Sequence, residues 1–222
     1  MIKIINTYWS MLISAMGKTL LLCLLSLVFA MIIGIIFGLM NVGRNRGCNL
    51  IGTVYVDAVR GVPLIVLAYF IYFGVPSGIK MMGIQNFRMS ALQAGTIALS
   101  MNCGAYMAEI IRAGIESVDK GQMEASRSLG LTYGKSMRLV VLPQAIRTMI
   151  PSIINQFIIT LKDTSILSVI GFPELTNTGK TISGNTFKSL ETWAIIGIMY
   201  MVVIITLSKI AKRIERRVSY GR

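Results

Sequence analysis

The chain contains no histidine, and its 222 residues include only three cysteines, five prolines and nine acidic side chains. Each scarcity excludes something. Without histidine the Ser-His and Cys-His nucleophile–base pairs are unavailable. The cysteines form no C-x-x-C pair, so a zinc site is not expected. Cys23 and Cys103 lie in apolar runs and Cys48 in a short basic connection, so a disulfide is not expected either. Charge is also scarce, at 14% of residues, against roughly a quarter in an ordinary soluble domain.

Apolar residues are abundant, at 54% of the chain. Charge-free stretches cover 19–43, 61–79, 89–108 and 192–208. Each is near the length of about 20 residues that crosses about 30 Å of hydrocarbon as a helix. A further stretch, 148–173, is interrupted by Lys162 and Asp163. It reads either as one helix carrying a charged pair at depth or as a short span ending at Lys162. The first stretch is too long for a secretory signal, and it has no evident small-residue cleavage site. The expected fold is an all-α integral membrane protein. It is a single domain over 1–222 with about five transmembrane helices.

The net charge of +13 does not point to nucleic acid, because the basic residues sit between and after the apolar runs. Lipid and topology explain them there. With the amino terminus outside, three inner segments hold Arg44, Arg46 and Arg60, then Arg112, Lys120, Arg127, Lys135, Arg138 and Arg147, then Lys209, Lys212, Arg213, Arg216, Arg217 and Arg222. The outer segments hold Lys3, Lys18, Lys80, Arg88, Lys180 and Lys188, and Lys162 remains in the membrane. This asymmetry predicts an outside amino terminus and a cytoplasmic carboxyl terminus.

Residues 1–17 carry Ile2, Ile5, Trp9, Leu12, Ile13 and Met16 at helical spacing. They predict an amphipathic helix on the outer interface with Trp9 as anchor, against the alternative of a flexible tail.

The longest connection runs from Glu109 to Arg147 on the cytoplasmic side, and within it segment 116–147 predicts two short helices. Asp119 caps the first and Gly130 ends it in a left-handed conformation. Thr132 caps the second, and Pro143 marks a turn toward the fourth span. Gly130, Gly134, Lys135 and Ser136 imitate a phosphate-binding loop. One residue too few separates the glycines, and a helix rather than a strand precedes them, so nucleotide binding is not expected. Glu109, Glu116 and Glu124 read as solvated or salt-bridged carboxylates.

Glu124, Ala125 and Ser126, then Gly130, Val140, Leu142 and Pro143, resemble the coupling motif of ABC importer permeases. That motif runs Glu-Ala-Ala, three residues, Gly, nine residues, Ile, any residue, Leu-Pro. Ser126 and Val140 depart from it conservatively. RGVPLIVLAYFIYFGVP (60–76), GAYMAEIIRAGI (104–115) and NQFIITLKDTSILSVIGFPEL (155–175) resemble the polar amino acid branch of that family, the histidine, glutamine, arginine and cystine type. The resemblance covers nearly the whole chain after residue 15.

It implies a type I importer permease in a bacterial cell membrane, with Glu124, Ala125, Ser126, Gly130, Leu142 and Pro143 coupling to a cytoplasmic ABC ATPase dimer. It also implies a second permease subunit (a copy or a paralogue), an extracellular or periplasmic substrate-binding protein, and alternating access. This chain would then be no enzyme and hold no cofactor, with ATP and magnesium on the ATPase partner. A secondary transporter would show more spans, often as repeats, and a channel would not need the coupling motif.

The substrate would be a polar amino acid. Candidates along its pathway are Asp163, Lys162, Thr164, Ser165 and Gln156 in the fourth span, Asn102 and Tyr106 in the third, and Tyr69 and Tyr72 in the second. Asp163 and Lys162 point about 100° apart on a helix. Asp163 faces the pathway, either as a contact for a substrate ammonium or as a gate. Lys162 snorkels or pairs with a partner subunit.

Overall fold

A computed structural model of the chain describes residues 1–43 and 45–219, with side chains through Arg213. Arg44 and Arg222, and the side chains of Arg216 and Arg217, which the topology argument also uses, lie outside the described residues. Every described element is helical. In chain order they are α1 (Ile2–Val42), α2 (Arg46–Gly61), α3 (Leu64–Met81), α4 (Ala91–Glu116), α5 (Lys120–Ser128), α6 (Tyr133–Ile170), α7 (Leu175–Thr186) and α8 (Ser189–Ser219).

Four of them, α1, α3, α6 and α8, are long and apolar enough to cross a membrane among the described residues. The expected third span forms as α4, yet it falls outside that set. Its position explains why. Helix α4 is the centre of the bundle, wrapped by α1, α2, α3 and α6. Fifteen of its 26 residues are buried, including Thr96, Ser100 and Asn102. A helix that faces protein rather than lipid has no need of a uniformly apolar surface. Its start is fixed by a capping box, with the Gln93 amide N–H donating to the Ser90 hydroxyl and the Ser90 amide N–H to the Gln93 side chain.

Small residues bring α1 against α4. Ala30, Gly34 and Gly38 recur every four residues on α1, and a Cβ at Gly38 would lie 2.9 Å from the Ile111 Cβ. On the facing helix, a Cβ at Gly104 would lie 2.6 Å from Ile33. Such stripes let backbones approach where lipid supplies no hydrophobic drive. Leu22 packs with Ala94 and Leu99, Ala30 with Cys103 and Met107, and Val42 with Ile111 and Ile115. Helices α1 and α4 therefore run parallel. Helix α6 runs antiparallel to both, with Met149 near Ile115 and Leu167 near Ala98.

Three local expectations are corrected. Residues 1–17 are not a separate interfacial helix, because α1 continues without a break past Lys18. At 41 residues it is about 60 Å long, and Ile4, Leu12, Ala15 and Met16 dock against Leu175, Ile182, Ile195 and Ile196 of α7 and α8. Pro143 makes no turn. A π turn over Met137–Val141 leads straight into Leu142–Asp163, so the second short helix expected in the connection and the fourth span are one helix. Beyond Asp163 the α geometry ends, and a tighter 3-10 stretch, Thr164–Ile170, continues to Gly171 at φ 76°. The charged pair thus sits at the junction of two helix types.

Two helices, α2 and α7, lie where only connections were expected. Asn45 caps α2 by accepting from the Gly47 and Cys48 amides. Glu174 caps α7 and is wholly buried. Its carboxylate accepts from the Thr176 amide at 2.7 Å, the Asn177 amide at 2.6 Å and the Tyr200 hydroxyl at 2.8 Å, tying α7 to α8.

Burial pushes the Glu174 carboxyl above its ordinary range, against the pull of those donors. A raised acid pKa means the folded state holds a proton that the unfolded state releases. Stability from this group is therefore full at low pH and declines as pH rises from the ordinary carboxylate value through the raised one. Thermal unfolding in detergent checks this. Glu174→Ala lowers stability by about 1–3 kcal/mol through the lost cap and tether. Glu174→Gln is less damaging and flattens the decline with pH.

Candidate functional site

A cavity of about 510 Å³ opens between the α2–α3 corner, α4 and α6. Asn102 and Tyr106 reach it from adjacent turns of α4, and Gln156, Ile159 and Asp163 from one stripe of α6. Asn102 and Gln156 are buried among the packed helices, whereas Tyr106 and Asp163 are partly open. Among the described residues Asp163 stands in no ion pair and accepts no hydrogen bond. Burial and the neighbouring Lys162 charge are its surroundings. A carboxylate at this depth without a partner faces either water or a cation.

Four of the nine pathway candidates meet here: Asp163, Gln156, Asn102 and Tyr106. The other five do not line the cavity. Lys162 is exposed on the neighbouring face of α6. Thr164 is buried and donates to the Leu161 carbonyl at 2.7 Å, and Ser165 donates to the Lys162 carbonyl at 2.7 Å. Both hydroxyls serve the backbone where the helix tightens. Tyr69 and Tyr72 pack against Phe73, with centroids 5.9 and 4.7 Å apart. In α3 the π turn Phe70–Gly74 shifts the face that a regular helix would present.

Sequence reasoning missed Arg60, which closes the same cavity. Its guanidinium lies 5.2 Å from the centre of the Tyr106 ring and 3.7 Å from Glu109. Glu109 also receives both Arg112 Nε, at 3.1 Å, and Arg112 Nη2, at 2.6 Å, and Arg112 continues the chain of charges to Glu116. This network walls a second cavity of about 350 Å³, toward Asn41, Asn49 and Asp57. Arg60 lines both. The available signal was the Arg60, Glu109, Arg112 charge pattern flanking two apolar runs, which topology alone had absorbed.

Segment 116–147 lies at the end of the bundle that holds Val42, Ile111 and Ile115. The Asp119 carboxylate accepts from the Gly121 amide at 2.7 Å and starts α5. Gly130 has φ 85°. Its amide donates to the Arg127 carbonyl at 3.0 Å, and the Leu131 amide donates to the Ser126 carbonyl at 3.3 Å. These two bonds make a complete Schellman stop. Thr132 precedes α6, but its hydroxyl makes no cap bond.

Met123 of α5 and Met137 of α6 pack onto Val141, Ala145 and Met149. Ser126 is buried and donates to the Met123 carbonyl. Glu124, Ala125, Gly130 and Pro143 are exposed, Leu142 is half-buried, and Leu129 projects with 85% exposure. The result is a short knob, anchored underneath by methionines and open on its outer side.

Residues 5–220 match the family described as the binding-protein-dependent transport system inner membrane component. The glutamine transport system permease protein of Escherichia coli (strain K12) is 36% identical over 93% of this chain and 92% of its own length. The arginine transport system permease protein of Bacillus subtilis (strain 168) is 34% identical over 92% and 91%. A crystal structure of an amino acid ABC transporter with histidines is 38% identical and superposes with a TM-score of 0.87 over 96% of each chain. With its all-helical bundle and its match over nearly the full length, the chain belongs to the family of binding-protein-dependent transport system inner membrane components.

Proposed function

We propose that the chain is the membrane-spanning subunit of an ATP-driven importer that moves a polar amino acid into the cytoplasm by alternating access. The observation that carries this reading is the unpartnered Asp163 carboxylate in a cavity shared with Asn102, Tyr106 and Gln156. A free amino acid brings an ammonium group that a carboxylate binds through charge-assisted hydrogen bonds. The relatives named for glutamine and arginine support a polar substrate of this kind. The knob at Glu124–Pro143 supports docking to a cytoplasmic ATPase dimer, which holds ATP and magnesium. A binding protein delivers substrate from the other side, and a second permease subunit completes the pathway. Closure of the ATPases draws the inner ends of α4 and α6 together and turns the cavity outward, a rigid-body exchange.

The test uses proteoliposomes containing the importer, its binding protein and its ATPase. Asp163→Asn is expected to lower transport roughly tenfold or more, since a hydrogen bond to a charged group contributes about 1.5–3 kcal/mol. ATPase stimulation is expected to persist. Unchanged transport removes Asp163 from the pathway.

Orientation is checked on intact cells. The native Cys48 is exposed in the first turn of α2, at the same end as the knob, and Asn185 is exposed near the end of α7. A membrane-impermeant maleimide is expected to label a cysteine at Asn185 and to reach Cys48 only after permeabilisation. The reverse pattern places the knob outside and ends its coupling role.

A further inference from the structure

We propose that Arg60 binds the carboxylate of the transported amino acid, and that Glu109 holds the Arg60 guanidinium between rounds of binding. This rests on the reading that the cavity beside Asp163 takes an amino acid, and it adds the group that recognises the substrate's other end.

Arg60 is placed for this by three contacts. Its guanidinium lies against the Tyr106 face at 5.2 Å, an attraction that orients the side chain while leaving its N–H groups to other partners. Its distance to Glu109, 3.7 Å, is an ion-pair distance but too long for a hydrogen bond. Both Glu109 carboxylate oxygens already accept from Arg112. Among the described residues no acceptor takes a hydrogen bond from Arg60.

A guanidinium presents a planar fork of donors that matches a carboxylate in two parallel bonds. Arg60 carries that fork, free of hydrogen-bond acceptors among the described residues, at the wall of a cavity whose carboxylate, Asp163, is unpaired. The two charges line one space without meeting as an ion pair. The α-ammonium and α-carboxylate of an amino acid complete both, and that pair of groups adds no net charge. Lys162 does not compete for this role, because it is exposed on another face of α6.

Glu109 gives the pair a second position. Arg60 also lines the inner cavity next to Glu109, Arg112 and Glu116. When the guanidinium is drawn toward Glu109, its grip on a substrate carboxylate weakens and the exit side is favoured. When it turns to the carboxylate, only the long contact to Glu109 is given up.

The experiment is equilibrium dialysis on the purified permease–ATPase complex in detergent, without binding protein. The probes are L-glutamine, L-arginine, their α-amides and their deaminated acids. Arg60→Gln is expected to weaken the free amino acid by about tenfold or more while changing the α-amide by less than about twofold, because only the former has a charged partner to lose. Asp163→Asn should do the converse, weakening the free amino acid and sparing the deaminated acid. Glu109→Gln is expected to tighten amino acid binding several-fold, an outcome that loss of a merely structural ion pair does not produce.

Equal weakening of amino acid and α-amide by Arg60→Gln, or no weakening, overturns the carboxylate assignment. If Asp163→Asn still acts in that case, the amino acid cavity stands without Arg60. Weaker binding by a folded Glu109→Gln complex overturns the holding role. Failure of the native complex to bind either amino acid removes the cavity reading, and this inference with it.

Discussion

Gly130→Leu is expected to abolish the stimulation of ATPase activity by loaded binding protein while the complex still assembles in the membrane. The effect turns on one backbone torsion. Gly130 sits at φ 85°, where an L side chain is strained by about 1–2 kcal/mol. A Cβ there meets nothing within 4 Å, so the substitution causes no clash. Its effect is to disfavour the left-handed turn that directs the Leu131 amide to the Ser126 carbonyl.

Loss of that stop lets α5 run on or fray, and the angle between α5 and α6 changes. The knob keeps its residues but loses its shape. Gly130→Asn is expected to be much milder, because asparagine tolerates the left-handed region. The measurement is ATPase turnover in proteoliposomes with and without loaded binding protein, beside the same variants' yield of assembled complex. Full stimulation in Gly130→Leu would show that the turn has no part in coupling.

Gly34→Leu is expected to have the largest effect on folding. A Cβ at Gly34 would overlap the Met107 Cβ and lie 3.3 Å from the Ala108 amide nitrogen. Neither atom is the end of a flexible side chain, so relief requires α1 to move off α4. That interface is the most extensive in the bundle, and it sits beside the buried Ala30, Cys103 and Met107. Overpacking of this kind costs about 1–3 kcal/mol or more, and Gly34→Ala already carries part of it.

Gly17 supplies the control. A Cβ there meets nothing within 4 Å, and Gly17→Ala is expected to be neutral or stabilising by up to about 1 kcal/mol through helix propensity. Detergent size-exclusion profiles and thermal unfolding of the four proteins check this order. A Gly34→Leu chain with native yield and melting temperature contradicts the close approach of the two helices.

The two glycines differ in how legible they were. Gly130 could be read from the sequence, because the left-handed stop is a local device set by the residues on either side. The requirement at Gly34 could not. It arises from Met107, far along the chain, and a glycine in an apolar run looks the same whether it faces lipid or another backbone. The same division runs through the candidate site. Asn102 and Tyr106 could be paired by spacing on one helix, and so could Gln156 and Asp163. That the two pairs share one cavity depends on the antiparallel packing of α4 and α6.

By itself the sequence determined that the chain lies in a membrane, because apolar runs of spanning length have no other stable solvent. It also determined the Asp119 cap, the Gly130 stop and the family motif, since each is a short-range pattern of side chain against backbone. The tertiary structure alone decided the rest. Helix α4, with Thr96, Ser100 and Asn102 buried in it, became the centre of the bundle because neighbouring helices replace lipid around it. Thr164, Ser165, Tyr69 and Tyr72 do not line the cavity, because the two hydroxyls bond backbone carbonyls where the 3-10 stretch begins and both tyrosines pack against Phe73 of the π turn. Arg60 entered the cavity because α2 folds back along α4 and brings it to Tyr106 and Glu109. Hydropathy and periodicity are local quantities, whereas the meeting of charges from separate helices is fixed only when those helices pack.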